Sequence, residues 1–120
     1  MKEMSMRQER VAEQVREELG KCLSRGGFKN PLIDAMISFP YVWISPDLKN
    51  ARVYFTTLHN VDSEMTREVS KALNGEAFRF QQGLAKFSRK STPKLRFIPD
   101  EDSARTSRIE ALFNQITVNA

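Results

Sequence analysis

The feature that most constrains the fold is a point where two helices meet with almost no loop, at Asn74-Gly75. Apolar residues recur at helical spacing on both sides of it. They are Met65, Val69, Ala72 and Leu73 before it, and Ala77, Phe80, Leu84 and Phe87 after it. Because Asn-Gly is costly inside a helix, the sequence predicts two helices joined at a kink, the first capped by Asp62 or Ser63.

A helix is also predicted at each end of the chain. The first follows a capping box of Ser5 and Gln8 and ends at Gly26-Gly27. Cys22 lies on its apolar face, where we expect it in the core. The last helix starts at the acidic turn 99–103, and acidic residues suit the positive end of a helix dipole. Its apolar face comprises Ile109, Leu112, Phe113 and Ile116.

Three strands complete the pattern. Residues 33–44 and 51–58 predict an antiparallel pair across the turn Ser45-Pro46-Asp47. Pro40 cannot donate to a ladder, so we expect a bulge or a strand edge there. A short third strand covers residues 94–98. The order αββααβα predicts an α+β domain with a three-stranded sheet and helices packed on one face.

Length and composition limit the class of protein. At 120 residues the chain is expected to form one domain over residues 1–120, with an ordered core at about 7–116. No apolar run approaches the length of a membrane helix and no leader is visible, so we expect a cytoplasmic protein without membrane contact. The single cysteine and single histidine, His59, have no metal-ligating or catalytic partners nearby. We therefore expect no metal, no cofactor and no catalytic residue.

Positive charge is concentrated between residues 77 and 98. This window holds six of the 19 basic side chains and none of the 15 acidic ones. Such a patch suits a polyanion, because each neutralised phosphate releases counterions; the alternative is a solvated face. Arg96 has the further alternative of pairing across the sheet. The candidate RNA contacts are Arg79, Lys86, Arg89, Lys90, Lys94 and Arg96 in or near the window, Arg7 and Arg10 on the first helix, and Arg105 and Arg108 on the last.

Three aromatic residues have two possible roles each. Phe78 lies off the apolar stripe of its helix, and we expect it to pack against a neighbouring helix, with stacking on a base as the alternative. Tyr41 and Trp43 lie in the first strand, where we expect core or sheet-edge packing.

Several short strings in the chain are typical of one protein family. The run S-P-D-L-K-N-A-R-V-Y at 45–54 is followed at a distance by P-K-L-R-F at 93–97. Shorter strings are R-V-A at 10–12, K-A-L-N at 71–74, L-A-K at 84–86 and R-I-E-A-L at 108–112. Over about residues 7–116 the chain resembles the bacterial ribosome-binding factor A family.

The resemblance implies a type II KH-like fold and a ribosome biogenesis factor. Such a factor would bind the 30S subunit and its 16S rRNA during late maturation, including processing of the rRNA 5′ end, and would support growth in the cold. It would be non-catalytic. Apart from the resemblance, an assembly GTPase is a further possible partner, and we expect a monomer.

One departure from the KH pattern keeps a second function open. A typical KH domain grips nucleotides with a GxxG loop, and this chain has no GxxG. The family replaces that loop with an Ala-x-Gly kink, whereas here Gly75-Glu76-Ala77 has the reverse order. We define the kink as Asn74, Gly75, Glu76 and Ala77, and Glu76 would weaken a direct phosphate contact there. The alternative is therefore a protein-interaction module that docks on ribosomal proteins or a GTPase, with secondary RNA contact.

Overall fold

A computed structural model describes residues 4–34, 36–57, 63–85 and 92–100. The elements run in the predicted order as far as the third strand. They are α1 (Met6–Arg25), β1 (Ile37–Ile44), β2 (Asn50–Thr57), α2 (Ser63–Gly75), α3 (Ala77–Ala85) and β3 (Lys94–Pro99). The predicted last helix lies outside the described residues. No helix in the described ranges is both long enough and apolar enough to cross a membrane.

Helix α1 begins and ends as its sequence predicts. The Ser5 hydroxyl accepts from the Gln8 N–H, and the Gln8 side chain accepts from the Ser5 N–H at 2.8 Å, which completes the capping box. The Gln8 amide also donates to the Ile44 carbonyl at 2.7 Å, which ties the helix to β1. Gly26 and Gly27 follow with φ of 72° and 85°, a left-handed backbone that glycine adopts at little cost.

The sheet has the order β1-β2-β3. Strands β1 and β2 are antiparallel, and their register shifts between Ser38 and Tyr41, so the bulge predicted at Pro40 is confirmed. Strand β3 runs parallel to β2, and α2 and α3 form the crossover connection that a parallel pair requires.

The predicted start of the first strand at residue 33 is wrong, because β1 begins at Ile37. The preceding segment turns instead of extending. The Asn30 side chain accepts from the Leu32 N–H at 3.0 Å, and Asp34 accepts from the Met36 N–H at 2.9 Å. Such local side-chain bonds compete with a sheet ladder for backbone groups.

The turn between β1 and β2 is held by its own polar side chains. The Asp47 carboxylate accepts from the Ser45 hydroxyl at 2.6 Å and from the Lys49 N–H at 3.0 Å. These bonds stabilise the carboxylate and lower the pKa of Asp47 below its ordinary value. Leu48 takes a φ of 62° between them. The first half of the S-P-D-L-K-N-A-R-V-Y run therefore builds a turn.

The core lies between the sheet and the helices. Helix α1 packs on β1, α2 packs on β3, and α3 contacts both α1 and β3. Four phenylalanines, three of them buried and one half-buried, form an aromatic cluster in it, with the centroids of contacting rings 4.7–6.0 Å apart. They are Phe28, Phe39, Phe80 and Phe97. Cys22 is buried as predicted, whereas Met65 of the α2 stripe is 40% exposed.

Candidate nucleic-acid interface

The two predicted helices meet at a single residue. Helix α2 continues through Gly75, and only Glu76 separates it from α3. The junction therefore falls one residue later than the predicted Asn74-Gly75. Gly75 has an ordinary helical backbone with open space around it, so neither φ nor crowding requires a glycine there.

The Glu76 side chain faces the protein. Its two carboxylate oxygens accept from the N–H groups of Lys29 at 2.7 Å and Asn30 at 2.9 Å. The Arg79 Nε lies 3.6 Å from the same carboxylate, and the side chain of Glu76 is only 13% exposed. The negative charge at the kink is thus met by two backbone donors and a guanidinium, and it anchors the loop that follows α1.

The Asn74 side chain also bonds to backbone groups, those of Phe97 in strand β3. Its side-chain nitrogen donates to the Phe97 carbonyl at 3.0 Å, and its oxygen accepts from the Phe97 N–H at 2.8 Å. Strand β3 is an edge of the described sheet, so this amide continues the ladder where a further strand would lie. The polar groups of the kink are therefore engaged within the chain itself.

The predicted contacts on β3 lie on the sheet face opposite the helices, where Lys94 and Arg96 are exposed. Arg96 lies opposite Arg52 of β2, so it faces another cation and not an acid across the sheet. The Arg52 guanidinium lies 5.0 Å from the centre of the Trp43 ring, in cation–π contact. Two adjacent arginines repel each other, which an anion placed between them would relieve.

The other predicted contacts are distributed over the molecule. Arg7 and Arg10 are exposed on the first two turns of α1. Arg79 is exposed on α3, but its Nη1 donates to the Gly27 carbonyl, so part of its bonding capacity serves the fold. The remaining candidates lie outside the described residues: Lys86, Arg89, Lys90, Arg105 and Arg108.

The aromatic expectations have different outcomes. Phe78 is 68% exposed, so the expectation that it packs against a neighbouring helix is wrong. Tyr41 and Trp43 lie on the edge strand β1, on the sheet face away from the buried residues, as the sheet-edge expectation proposed. The ring of Tyr41 lies 5.7 Å from that of Tyr54 on β2.

An open cleft of about 820 Å³ lies between the end of α1 and α3. Its lining includes Arg25, Lys29, Phe78, Arg79 and Gln82. Arg25, Lys29 and the strand residue Arg52 are not among the contacts predicted from the sequence. The sequence signal for Arg25 and Lys29 is that they flank Gly26-Gly27. A turn at the two glycines brings both side chains to the same cleft.

The fold and the kink define the class of this protein. The described elements form an α+β, KH-like domain in which a helix kink replaces the GxxG loop. It is similar to the solution NMR structure of a putative ribosome binding factor A from Thermotoga maritima, with a TM-score of 0.69, 23% identity, and coverage of 82% of this chain and 91% of that one. For the crystal structure of ribosome-binding factor A from Thermus thermophilus the TM-score is 0.62 at 20% identity, covering 77% and 94%.

Sequence comparison gives the family. The family model described as Ribosome-binding factor A matches residues 7–113. Ribosome-binding factor A of Anaeromyxobacter sp. (strain K) is 37% identical over 107 residues, 88% of this chain and 75% of that protein. The Coxiella burnetii protein of the same name is 36% identical over 113 residues, 93% and 91% of the two chains. The chain belongs to the ribosome-binding factor A family.

A third structural neighbour is a homology model of Thermus thermophilus ribosome binding factor A, fitted into a cryo-EM map of a 30S complex of that factor. Its TM-score to this chain is 0.54 at 20% identity, covering 72% of this chain and 88% of that one.

Proposed function

We propose that this protein binds the 30S ribosomal subunit and its 16S rRNA during late maturation of the subunit. The observation that carries the proposal is the family match over residues 7–113. The likeness to a factor fitted into a 30S complex supports it. The role includes support for processing of the 16S rRNA 5′ end, takes place in the cytoplasm, and rests on binding without a catalytic step.

The charge distribution supplies a physical basis for rRNA binding. Lys94, Arg96, Arg7 and Arg10 are exposed, and none has a carboxylate partner within the described ranges. Free cations of this kind bind phosphates without reading sequence, and they position a protein on folded RNA. The proposed phosphate contacts are Arg7, Arg10, Arg79, Lys86, Arg89, Lys90, Lys94, Arg96, Arg105 and Arg108.

The kink takes a structural role in this proposal. Asn74 and Glu76 bond to backbone groups of the same chain, so Asn74 to Ala77 shape the domain and leave phosphate binding to neighbouring surfaces. We further propose that residues 1–120 act as one domain and as a monomer on the particle.

Co-sedimentation with purified small-subunit particles across a range of salt concentrations tests the proposal. The charge reversals Lys94→Glu and Arg96→Glu, made together, should weaken binding and reduce the slope of log K against log salt by about 0.7–0.9 per lost phosphate contact. Arg67→Glu with Lys71→Glu is the matched control, because it makes the same change in net charge on exposed positions of α2. Equal weakening by both pairs would show that only net charge matters.

The basic residues between α3 and β3 are tested by a separate variant. Arg89→Glu with Lys90→Glu should also reduce co-sedimentation with the particles. Unchanged co-sedimentation would remove these two residues from the proposed RNA surface.

A protein-interaction module is the second candidate function. The observation that favours it is the absence of a GxxG loop together with a kink whose polar groups are used internally. Such a module would dock on ribosomal proteins or an assembly GTPase. Cross-linking to naked 16S rRNA fragments separates the two functions, because strong, salt-sensitive cross-links from residues 77–98 would exclude a purely protein-directed role.

A further inference from the structure

The loop that follows α1 forms one wall of the cleft between α1 and α3, and hydrogen bonds from Arg79 and to Glu76 hold it in place. Gly26 and Gly27 turn the chain out of α1 with positive φ, and the Gly27 carbonyl accepts from Arg79 of α3. The N–H groups of Lys29 and Asn30 donate to the Glu76 carboxylate. The loop therefore cannot swing away from α3 without breaking charge-assisted hydrogen bonds, and the cleft is preformed.

The floor of the cleft depends on a close approach of the two helices. A Cβ at Gly83 would lie 2.5 Å from the Cys22 Sγ, which is far inside van der Waals contact. Only glycine at this position lets the buried Cys22 side chain reach the surface of α3. The floor is therefore apolar and closed, whereas the mouth is open to solvent.

The mouth of the cleft combines an aromatic ring with positive charge. Phe78 is 68% exposed, on the first turn of α3. Arg25 and Lys29 line the same cleft, and neither forms an ion pair within the described ranges. Among the described residues, the lining includes no carboxylate, because the Glu76 side chain is turned into the loop.

An unpaired nucleotide has the chemistry that this arrangement complements. Its base offers a flat π-face to an exposed ring, and its phosphate offers negative charge to the cations beside that ring. An acidic peptide would match the charge, but among the described residues that line the cleft only Phe78 is a large exposed apolar side chain, since Phe28 is half-buried.

We propose that the cleft between α1 and α3 binds one unpaired nucleotide of single-stranded RNA. The base stacks on Phe78, and the adjoining phosphates lie beside Arg25 and Lys29. The inference rests on the proposed function for the identity of the RNA, an unpaired segment of rRNA. It adds a stacking site to a surface otherwise described by phosphate contacts alone.

Fluorescence anisotropy of the 120-residue chain with a labelled oligouridylate tests the stacking site. Phe78→Leu should weaken binding by about 5- to 150-fold, the loss expected for one base–aromatic stack. Phe78→Tyr keeps an aromatic face and should bind like the original protein. Tyr41→Leu, on the opposite side of the molecule, is the matched control for loss of an exposed ring. Because Phe78 is exposed, its variants are expected to stay folded, and circular dichroism checks this.

The cations of the cleft have a separate signature. Arg25→Ala with Lys29→Ala should weaken oligouridylate binding and flatten its salt dependence, whereas Phe78→Leu should weaken binding without changing that slope. Arg67→Ala with Lys71→Ala on α2 controls for charge.

The outcomes are distinguishable. The stacking site is overturned if the original chain shows no measurable oligouridylate binding, or if Phe78→Leu binds it unchanged. It is also overturned if Phe78→Leu weakens binding to small-subunit particles but leaves oligouridylate binding unchanged, since the cleft would then hold a protein segment. If oligouridylate binding depends on Phe78 but the original chain does not bind small-subunit particles, the stacking site is supported and the proposed function is wrong.

Discussion

The kink and the cleft beside it share helix α3 but use their polar groups in opposite ways. At the kink, Asn74 and Glu76 bond to backbone groups of β3 and of the loop after α1. In the cleft, Arg25 and Lys29 have no carboxylate partner in the described part of the chain. In a typical KH domain the junction of the two helices holds nucleotides. Here the polar groups of that junction hold the fold together, and the proposed binding surfaces lie next to it.

Asn74→Ala gives the largest expected loss of stability. It leaves the N–H of Phe97 without its side-chain acceptor, at about 1–3 kcal/mol for an unsatisfied group, and it leaves the Phe97 carbonyl with only the 3.4 Å bond from the Ser70 hydroxyl. We expect the free energy of unfolding in urea to fall by about 2–4 kcal/mol, with binding by the folded protein retained. Asn50→Ala, an exposed asparagine on β2, is the control. An unchanged midpoint for Asn74→Ala would show that the kink does not stabilise β3.

Gly83→Ala tests the close contact beneath the cleft. The added Cβ would clash with the Cys22 Sγ, and we expect a loss of about 1–3 kcal/mol in thermal or urea unfolding. Gly20→Ala, in the interior of α1 with nothing within 4 Å of the new Cβ, should instead stabilise by about 0.5–1 kcal/mol. Equal effects of the two substitutions would mean that the helices do not meet as closely as described.

Glu76→Ala tests whether the kink holds the wall of the cleft. Removing the carboxylate takes the acceptor from two N–H groups, one of them exposed, and should cost about 1–2 kcal/mol. Amide hydrogen exchange at Lys29 and Asn30 should accelerate strongly in this variant. Glu76→Gln retains an acceptor oxygen and should restore much of the protection. Unchanged exchange in Glu76→Ala would mean that the loop is held by other contacts.

The turn between β1 and β2 gives the smallest expected effect, remote from both regions. Asp47 has its pKa lowered in the folded state by the Ser45 hydroxyl and the Lys49 N–H. Its contribution to stability is therefore present above the unfolded pKa and is lost as the pH falls through the folded pKa. Asp47→Asn should be slightly less stable than the original chain at neutral pH, with the difference vanishing in acid. A difference that grows in acid would contradict the assignment.

Local signals in the sequence predicted most of the fold. The capping box at Ser5, the glycine stop after α1 and the bulge at Pro40 each depend on a few neighbouring residues, and all are present. The strand prediction was wrong at residues 33, 34 and 36, because the Asn30 and Asp34 side chains bond to nearby N–H groups, which β-propensity does not reveal.

The candidate site was less predictable, because its contacts join distant parts of the chain. Glu76 meets Lys29 and Asn30 across 46–47 residues, and Asn74 meets Phe97 across 23. No periodicity or motif encodes such pairs, so the sequence indicated only that Glu76 would weaken a phosphate contact at the kink and not what it bonds to. Phe78 lies off the apolar stripe of α3, but that position alone does not show whether a distant part of the chain covers its ring.

In the function proposed for this protein, the kink stabilises the fold and the exposed cations without a carboxylate partner in the described ranges bind RNA. The most direct test compares Glu76→Gln with Lys94→Gln plus Arg96→Gln in salt-dependent binding to small-subunit particles. Glu76→Gln should leave affinity and salt slope unchanged, and the β3 pair should reduce the slope by about 0.7–0.9 per contact. Tighter binding or an altered slope for Glu76→Gln, with no effect from the β3 pair, would contradict the claim.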